Sequence, residues 1–257
     1  MSTLKLLSWN VNGIRAIEKK GFSDWLDKEK PDIVALQETK IDAVQLTREV
    51  REKRHYKSFF SHAEKKGYSG VAIYTRIEPK NVTEGLGIER FDREGRVLAA
   101  DYGDFLLFNI YFPNGKASPE RLQYKLDFYA AFYDKARELM SHGKKLIVTG
   151  DFNTAHRPID LARPKENENV SGFLPNEREW LDKYIDAGFE DTFRVFNSQP
   201  QNYTWWHLVT NARARNVGWR IDYFLASQSL NKKLHNATIE PHVIGSDHCP
   251  VSLFLKL

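Results

Sequence analysis

The chain has 257 residues with a formal net charge of +4 at pH 7, and 41% of its residues are hydrophobic and 28% charged. These values are typical of a soluble globular protein and exclude a disordered or fibrous chain, and no apolar run approaches the roughly 20 residues that span a bilayer. The mild positive excess permits a polyanionic partner. A single cysteine, Cys249, and an N-terminus without the order of a secretion signal lead us to expect a cytoplasmic protein.

Short apolar runs predict buried strands, and amphipathic stretches between them predict helices. In chain order the predicted elements are strand Leu4–Trp9, helix Phe22–Lys28, strand Ile33–Leu36, helix Gln45–Lys53, strands Val71–Tyr74, Val97–Ala100 and Leu106–Phe112, helix Pro119–Met140, strand Leu146–Thr149, helix Pro175–Ala187, and strands Ile221–Leu225 and Val251–Leu255. Strands and helices mix without strict alternation, which favours an α/β or α+β layered fold. No linker divides the chain, so we predict one domain over residues 1–257, with a long polar loop at Arg157–Pro175.

Polar side chains collect at the ends of several apolar runs. They are Asn10 and Asn12, Gln37 and Glu38, Tyr111 and Asn114, Asp151 and Asn153, and Asp247 and His248. Strands that end on one edge of a sheet bring these ends together, as in the ligand sites of α/β proteins. Residues two apart on an extended segment face the same side, so the pairs beginning at Asn10 and Asp151 are predicted to face one pocket.

The predicted pocket is rich in oxygen ligands and contains one imidazole. Its chemistry comes from the side chains of Glu38, Asp151, Asp222, Asp247, Asn10, Asn153 and His248. Such a set suits Mg²⁺ or Mn²⁺ better than zinc. There is no Gly-rich phosphate loop and no nucleophile elbow. The residues therefore predict hydrolysis of a phosphoester by a metal-assisted water.

Eight stretches of the sequence resemble, in the same order, the exonuclease III family of abasic-site endonucleases within the DNase I-like metal-dependent phosphoesterases. They read LLSWNVNGIRA, PDIVALQETK, GYSGVAIYT, NIYFPNG, VTGDFNTAH, IDLARPKENENVSGFLPNERE, NVGWRIDYFLAS and GSDHCPV. The shorter stretches are shared with phosphodiesterases that cut phosphoinositides and sphingomyelin, whereas the long ones resemble the DNA repair branch. The resemblance implies a four-layer α/β/β/α sandwich of two sheets packed face to face.

The resemblance also implies a role for each site residue. Glu38 resembles the principal metal ligand, assisted by Asn10 and Asp247. The implied cofactor is Mg²⁺, for which Mn²⁺ would substitute. Asp151 resembles the residue that activates or orients the attacking water, and Asn153 one that orients this water or holds the phosphate.

Further roles concern the phosphate itself. Tyr111 would donate to the phosphate or the developing oxyanion, while Asn114 and Asn169 would hold phosphate oxygens. Asp222 and His248 would form a hydrogen-bonded pair. Either Asp151 or His248 can serve as the general base, because both choices place a base within reach of a water. We favour Asp151, since a carboxylate beside His248 favours the imidazolium, which would instead stabilise the charge of the transition state.

Aromatic residues are expected to form the pocket for the substrate. Trp205, Trp219 and Ile221 match the family positions that surround a flipped-out abasic sugar, although many relatives have Phe at the position of Trp205. Flipping is least costly where the base is missing, which supplies selectivity. Among the basic residues near the motifs, Lys116 and Arg213 are predicted contacts to the DNA backbone.

One position departs from the mammalian-type family pattern WNVDG, because Asn12 replaces the aspartate, as it does in bacterial-type members. This change removes a carboxylate near the metal and weakens any case for a second ion.

Taken together, the sequence predicts a monomeric DNA repair nuclease that binds double-stranded DNA and no membrane. It would hydrolyse the phosphodiester 5′ to an abasic site and leave a 3′-hydroxyl, with accompanying 3′→5′ exonuclease and 3′-end trimming activity. Two alternatives stay open: a phosphoinositide or sphingomyelin phosphodiesterase of the same fold, and a catalytically silent DNA-binding module. The second would require replacement of Glu38, Asp151 or His248, and all three are present.

Overall fold

The computed structural model describes residues 3–256, which form fourteen strands and eight α-helices. The strands are β1 (Thr3–Asn10), β2 (Ile33–Gln37), β3 (Lys57–Ser61), β4 (Val71–Thr75), β5 (Asn81–Glu84), β6 (Val97–Asp101), β7 (Leu106–Tyr111), β8 (Leu146–Asp151), β9 (Phe189–Asp191), β10 (Trp205–Trp206), β11 (Gly218–Trp219), β12 (Asp222–Ser227), β13 (Leu234–Ile239) and β14 (Val251–Lys256). The helices are α1 (Ile14–Glu18), α2 (Phe22–Glu29), α3 (Arg48–Arg51), α4 (Glu89–Asp92), α5 (Pro119–Ser141), α6 (Pro164–Asn167), α7 (Pro175–Asp186) and α8 (Thr192–Phe196). Two 3₁₀ helices span Pro158–Asp160 and Gln228–Lys233.

Twelve of the strands form two six-stranded sheets with matching patterns. The first has the order β13-β14-β1-β2-β4-β3 and the second β5-β6-β7-β8-β12-β9, while β10 and β11 form a separate hairpin. Each large sheet contains one parallel pair at its centre, β1 with β2 and β7 with β8, and its other pairs are antiparallel. The central strands of the two sheets lie against each other, so their carboxyl ends meet at one edge.

Three apolar layers hold the fold together. Between the sheets, buried side chains such as Leu6, Ile73 and Leu107 form one core. The outer face of the first sheet packs against α1 and α2, and the outer face of the second against α5 and α7. The result is an α/β/β/α sandwich, as the resemblance implies, and burial of these apolar faces is the main force that stabilises it.

The longest helix begins where the sequence predicts. The Ser118 hydroxyl accepts a hydrogen bond from the backbone N–H of Arg121 at 3.3 Å, and Pro119 occupies the first turn, where a missing N–H costs nothing. Phe128 and Phe132 then lie one turn apart on the buried face of α5. No helix among residues 3–256 is both long and apolar enough to cross a membrane.

The structure corrects the predicted helix at Gln45–Lys53. Only α3 forms there, because Thr47 caps its start and Lys53 leaves the helix to bridge with Tyr56 in a tight turn. The Lys53 ammonium is buried against Glu18 at 2.6 Å, a contact that the helical pattern did not reveal.

The predicted loop at Arg157–Pro175 contains more structure than expected, namely the 3₁₀ turn Pro158–Asp160 and the helix α6. The sequence pattern also missed the partly exposed edge strands β3, β5, β9 and β13, whose composition is mixed or polar.

Candidate active site

The carboxyl ends of the two central parallel pairs bring four predicted site residues together. Asn10 ends β1, Glu38 follows β2, Tyr111 ends β7 and Asp151 ends β8. The Asn10 amide donates to Glu38 Oε1 at 3.1 Å and to Asp151 Oδ2 at 2.9 Å, and the Tyr111 hydroxyl donates to Glu38 Oε1 at 2.6 Å. One amide therefore joins the first sheet to the second at the centre of the site.

Gly150 allows β7 and β8 to approach each other next to the site. Its φ angle is +139°, and a Cβ at this position would lie 1.8 Å from the carbonyl oxygen of Ile110. Only glycine fits there, since a side chain would collide with rigid backbone. Its absence of a side chain lets Asp151 lie beside Tyr111, which it faces in the strand register.

Asp222 and His248 form the predicted pair. Asp222 lies opposite Asp151 in the register of β12 and β8, and its Oδ2 is 2.8 Å from His248 Nδ1. The other imidazole nitrogen, Nε2, lies 3.8 Å from Asp151 Oδ2. All three side chains are buried, so their charges interact in a medium of low polarity.

The two titratable groups that face each other have pKa values shifted upward by different causes. Burial raises the pKa of Asp151 to about 7, against the opposing influence of the His248 cation. Burial alone would lower the pKa of His248, but the Asp222 carboxylate, assisted by Asp151, raises it to about 10. At neutral pH the imidazole is therefore cationic, while the Asp151 carboxyl group can take up and release a proton.

The Asn residues two positions after Asn10 and Asp151 contact them, but not for the predicted reason. Asn12 and Asn153 have φ angles of +48° and +53°, so neither lies on an extended segment. Instead, the backbone N–H of Asn12 donates to Asn10 Oδ1, and that of Asn153 donates to Asp151 Oδ1. Both motifs are side-chain-to-backbone turns, in which Asn tolerates the left-handed conformation.

Glu38 is held as an anion by donors on both of its oxygens. Burial opposes ionisation, but Lys40, whose Nζ lies 2.7 Å from Oε2, lowers the pKa of Glu38 together with Tyr111 and Asn10. Lys40 was not predicted as a site residue. Its position two residues after Glu38 was the signal that sequence reasoning overlooked.

Asp247 connects the carboxylate centre to the aromatic wall. Its Oδ1 accepts from the Asn12 amide at 2.9 Å, and its Oδ2 accepts from the Trp205 indole N–H at 3.0 Å. Although burial opposes ionisation, the neighbouring His248 and these donors lower the pKa of Asp247. A phenylalanine in place of Trp205 would lack the N–H that makes this contact.

A cavity of about 490 Å³ opens above these groups. The predicted residues that line it are Glu38, Asn114, Lys116, Asp151, Asn153, Trp205, Trp219, Ile221, Asp247 and His248. Trp205 and Trp219 meet edge to face, with ring centroids 6.4 Å apart, and pack with Ile221 on an apolar cluster. Asn10, Tyr111 and Asp222 lie buried behind the lining. The structure adds wall residues that were not predicted, including Arg163, Asn167, Ser171 and His207.

Two buried ion-pair networks anchor the loops that form the cavity walls. The Lys125 ammonium lies 2.7 Å from Glu177 and donates to the carbonyl oxygen of Asn153, and Glu177 also accepts from the backbone N–H groups of Gly172 and Leu174. The sequence showed no signal for this pair, because its members lie on α5 and α7.

On the other side, Arg220 lies between the wall residues Trp219 and Ile221 and points away from the cavity. Its guanidinium donates to Asp160 at 2.8 Å and to Asp191 at 2.6 Å. Asp160 belongs to the loop predicted at Arg157–Pro175, so this loop is fixed directly to the segment between β11 and β12 that carries the wall residue Ile221.

The structure places two predicted substrate contacts outside the cavity lining, and their contact with DNA stays a prediction. The Arg213 guanidinium is occupied by the carbonyl oxygens of Ser246, Pro241 and Val243, so it holds the chain segment before Asp247 rather than presenting a free cation to DNA. Asn169 is exposed and does not line the cavity, where Asn167 lies instead.

The charges of the site fit a divalent cation. Four carboxylates, those of Glu38, Asp151, Asp222 and Asp247, lie close to two cations, Lys40 and His248, which leaves two negative charges in excess when all four are ionised. Ligand atoms of Asp151, Asp222 and His248 also lie within 4.8 Å of one another. Because Asp222 already bonds His248 directly, we regard the exposed side of Glu38 as the better position for an ion.

Known proteins resemble the chain over its full length. An exodeoxyribonuclease from Bacillus subtilis is 41% identical over 256 residues, covering 99% of this chain and all of that protein. DNA repair nuclease APEX1 from Danio rerio is 43% identical, covering 100% of this chain and 83% of that protein. The structure of an AP endonuclease from Archaeoglobus fulgidus superposes with a TM-score of 0.90 at 30% identity, covering 99% of this chain and 100% of that one.

The fold, the site and these similarities agree with a match of residues 7–248 to the sequence model of one family. The resemblance to DNase I-like nucleases is thereby confirmed, and the chain belongs to the Endonuclease/Exonuclease/phosphatase family.

Proposed function

We propose that the protein is a DNA repair nuclease that hydrolyses the phosphodiester bond on the 5′ side of an abasic site in double-stranded DNA, leaving a 3′-hydroxyl. The observation that carries this proposal is the facing pair of Asp151 and His248, with a proton-accepting carboxyl group 3.8 Å from a cation, beneath a cavity walled by two tryptophans. Pairs whose environments assign them opposite roles are typical of acid–base catalysis.

In the proposed reaction, Asp151 removes the proton from the attacking water. Its pKa of about 7 is close to the pH at which a general base works best. The oxygen of this water attacks phosphorus, the bond from phosphorus to the 3′-oxygen of the preceding nucleotide breaks, and that oxygen takes a proton from solvent water to become the 3′-hydroxyl. The His248 imidazolium, oriented by Asp222, stabilises the negative charge that develops on the phosphate.

The residues around Glu38 would hold the cofactor, which we propose is Mg²⁺, with Mn²⁺ as a substitute. Glu38 would be the principal ligand, with Asn10 and Asp247 close by. When bound, the ion supplies a Lewis acid that polarises a phosphate oxygen. The hydroxyl of Tyr111, which donates to Glu38, would be a donor to the phosphate.

The substrate class follows from the cavity. Trp205, Trp219 and Ile221 present apolar surface to a cavity about 490 Å³ in volume, which has room for a sugar that is rotated out of the duplex. A sugar that bears no base costs least to rotate out of the duplex. Asn114 and Lys116, exposed at the rim, would contact the DNA backbone, and a frayed 3′-terminal nucleotide entering the cavity would account for exonuclease and trimming activity.

The first test uses a labelled duplex with one abasic-site analogue, incubated with the protein in Mg²⁺, in EDTA, and with Asp151→Asn. We expect a single cut 5′ to the analogue, lost in both controls. A matched duplex without the analogue measures selectivity, and cutting it equally fast contradicts the pocket argument. Cleavage of soluble inositol phosphates with no cleavage of DNA would favour the phosphodiesterase alternative.

A second test enlarges the pocket with Trp219→Ala. Because a missing wall admits a larger group, we expect the ratio of kcat/KM for abasic over intact DNA to fall by about tenfold, the size of discrimination that an apolar pocket provides. Trp180→Phe is the control, since Trp180 packs on Tyr129 and Tyr133. An unchanged ratio would mean that this wall does not select the substrate.

The monomeric state and cytoplasmic location remain predictions from the sequence.

A further inference from the structure

Lys40 places an ammonium group inside the cluster of carboxylates. Its Nζ lies 2.7 Å from Glu38 Oε2 and also donates to Asn12 Oδ1. The two charged side chains are only 34% and 17% exposed, so this ion pair is less screened than one on the open surface. The cation therefore occupies one complete side of the proposed principal metal ligand.

The backbone around Lys40 is arranged to maintain this contact. Glu38 and Lys40 both have φ angles of +51°, a conformation that such residues adopt at a cost of roughly 1 kcal/mol or more each, and Asn12 has a φ angle of +48°, which asparagine tolerates. Backbone hydrogen bonds from Gly13 to Glu38 and from Lys40 to Ser69, 2.7 Å and 2.8 Å long, hold the turn. An incidental ion pair would need no such strained geometry.

Asn12 completes the arrangement because it both donates and accepts. Its amide N–H group donates to Asp247 Oδ1 at 2.9 Å, and its amide oxygen accepts from Lys40. A carboxylate at position 12 would bring two anionic oxygens to hydrogen-bond distance, a geometry that requires a shared proton or an additional cation. The amide removes that requirement.

We propose that Lys40 and Asn12 together stand in for a second divalent cation, so that the centre binds a single ion at Glu38. The inference rests on the divalent cation of the proposed function. When all four carboxylates are ionised, the charges of Lys40 and His248 leave two negative charges in excess, which one divalent ion neutralises. Lys40 is thus a positioning residue, which occupies Glu38 Oε2 and directs an ion to Oε1, the oxygen that accepts from Asn10 and Tyr111.

The test counts ions directly, by calorimetric titration with Mn²⁺ and by the electron paramagnetic resonance of the free ion, without DNA. The wild-type protein should bind one ion. Lys40→Met removes one positive charge and Asn12→Asp adds one negative charge, so each makes the net charge of the site more negative by one unit and should still bind one ion, about tenfold more tightly. The double variant that combines Asn12→Asp with Lys40→Met makes the net charge more negative by two units and should bind two ions.

Two further variants serve as controls. Lys116→Met removes a cation that lines the same cavity but makes no contact with Glu38, so ion number and affinity should stay within about threefold of wild type. Combining Asn12→Asp with Lys40→Arg keeps a cation at position 40 and should return the count to one. Two ions in the wild type, or one ion in the Asn12→Asp and Lys40→Met double variant with intact circular dichroism, would overturn the inference. No ion bound by the wild type would instead refute the metal site itself.

Discussion

At the scale of single residues, the Asp151 carboxyl group is the point where function and stability oppose each other. The group is fully buried beside Asp222 and Glu38, and burial raises its pKa from 3.8 to about 7. A carboxyl group whose pKa is higher in the folded state than in the unfolded state favours folding while protonated. Its contribution is therefore lost as pH rises from about 4 to about 7.

The corresponding variant, Asp151→Asn, should therefore be more stable than the wild type in EDTA at pH 8. We expect a gain of about 1–3 kcal/mol, because the amide carries no charge to desolvate. Chemical denaturation at pH 8 and pH 4.5 measures it, and the difference should be small at the lower pH. The catalytic activity of this variant should be lost at both pH values. A variant less stable than wild type at pH 8 would show that the carboxylate is better compensated than its burial suggests.

The pair of Asp222 and His248 yields a prediction about pH. Since Asp222 is the main cause of the raised His248 pKa of about 10, Asp222→Asn should move loss of the imidazolium towards neutral pH. The value of kcat/KM should then fall much more at pH 8.5 than at pH 6. The control is Asp182→Asn, which breaks a contact with His156 outside the cavity and should leave the profile unchanged. Parallel wild-type and Asp222→Asn profiles would contradict a cationic role.

At the scale of elements, the walls of the cavity are loops whose positions are set by buried charges. Lys125 on α5 and Glu177 on α7 have no exposed side-chain surface, and burial lowers the pKa of Lys125 even though Glu177 opposes that change. An unpaired charge in such a place is costly. The loop from Ser171 to Leu174 is fixed to α7 by its hydrogen bonds to Glu177.

Replacing one partner should reveal that cost. Glu177→Gln should lower the free energy of unfolding by about 3–5 kcal/mol, because the Lys125 ammonium loses its counter-ion. The matched control is Glu179→Gln on the same helix, whose pair with Lys183 is largely exposed and should contribute less than about 1 kcal/mol. Denaturant titration of both variants measures the two losses in the free energy of unfolding. Equal losses would mean that the buried pair contributes no more than a surface pair.

The elements also show what sequence patterns could and could not predict. The central strands and α5 were predictable because apolar runs and a Ser-Pro start leave local signals. Lys40 and Arg220 were missed, since each acts through a partner that is distant in sequence or through an unusual backbone angle. For the same reason Arg213 looked like a DNA contact: no local pattern reveals that its guanidinium meets three carbonyl groups.

At the scale of the whole molecule, the two sheets share one core, so they are expected to unfold together. Leu107, buried between the sheets, is suited to testing this. Leu107→Ala should lower the free energy of unfolding by about 2–5 kcal/mol in a single transition. Tryptophan fluorescence and far-ultraviolet circular dichroism should give the same midpoint. Leu208→Ala, at a side chain that is 69% exposed, is the control. Separate midpoints would argue against the predicted single domain.

The amide of Asn10 on the first sheet contacts Glu38 and also Asp151 of the second sheet. This contact belongs to the part of the molecule that sets the geometry of the chemistry, which is distinct from the loops that contact the substrate. The spacing of the reacting groups is set by strands in a close-packed interior, whose low compressibility keeps that spacing constant. The walls that meet the substrate stand on their own anchors at Asp160 and Glu177. Substrate preference can therefore change when the anchored loops are exchanged, while the chemistry stays the same. Loops from related proteins could be grafted onto these two sheets to change which substrate is cut.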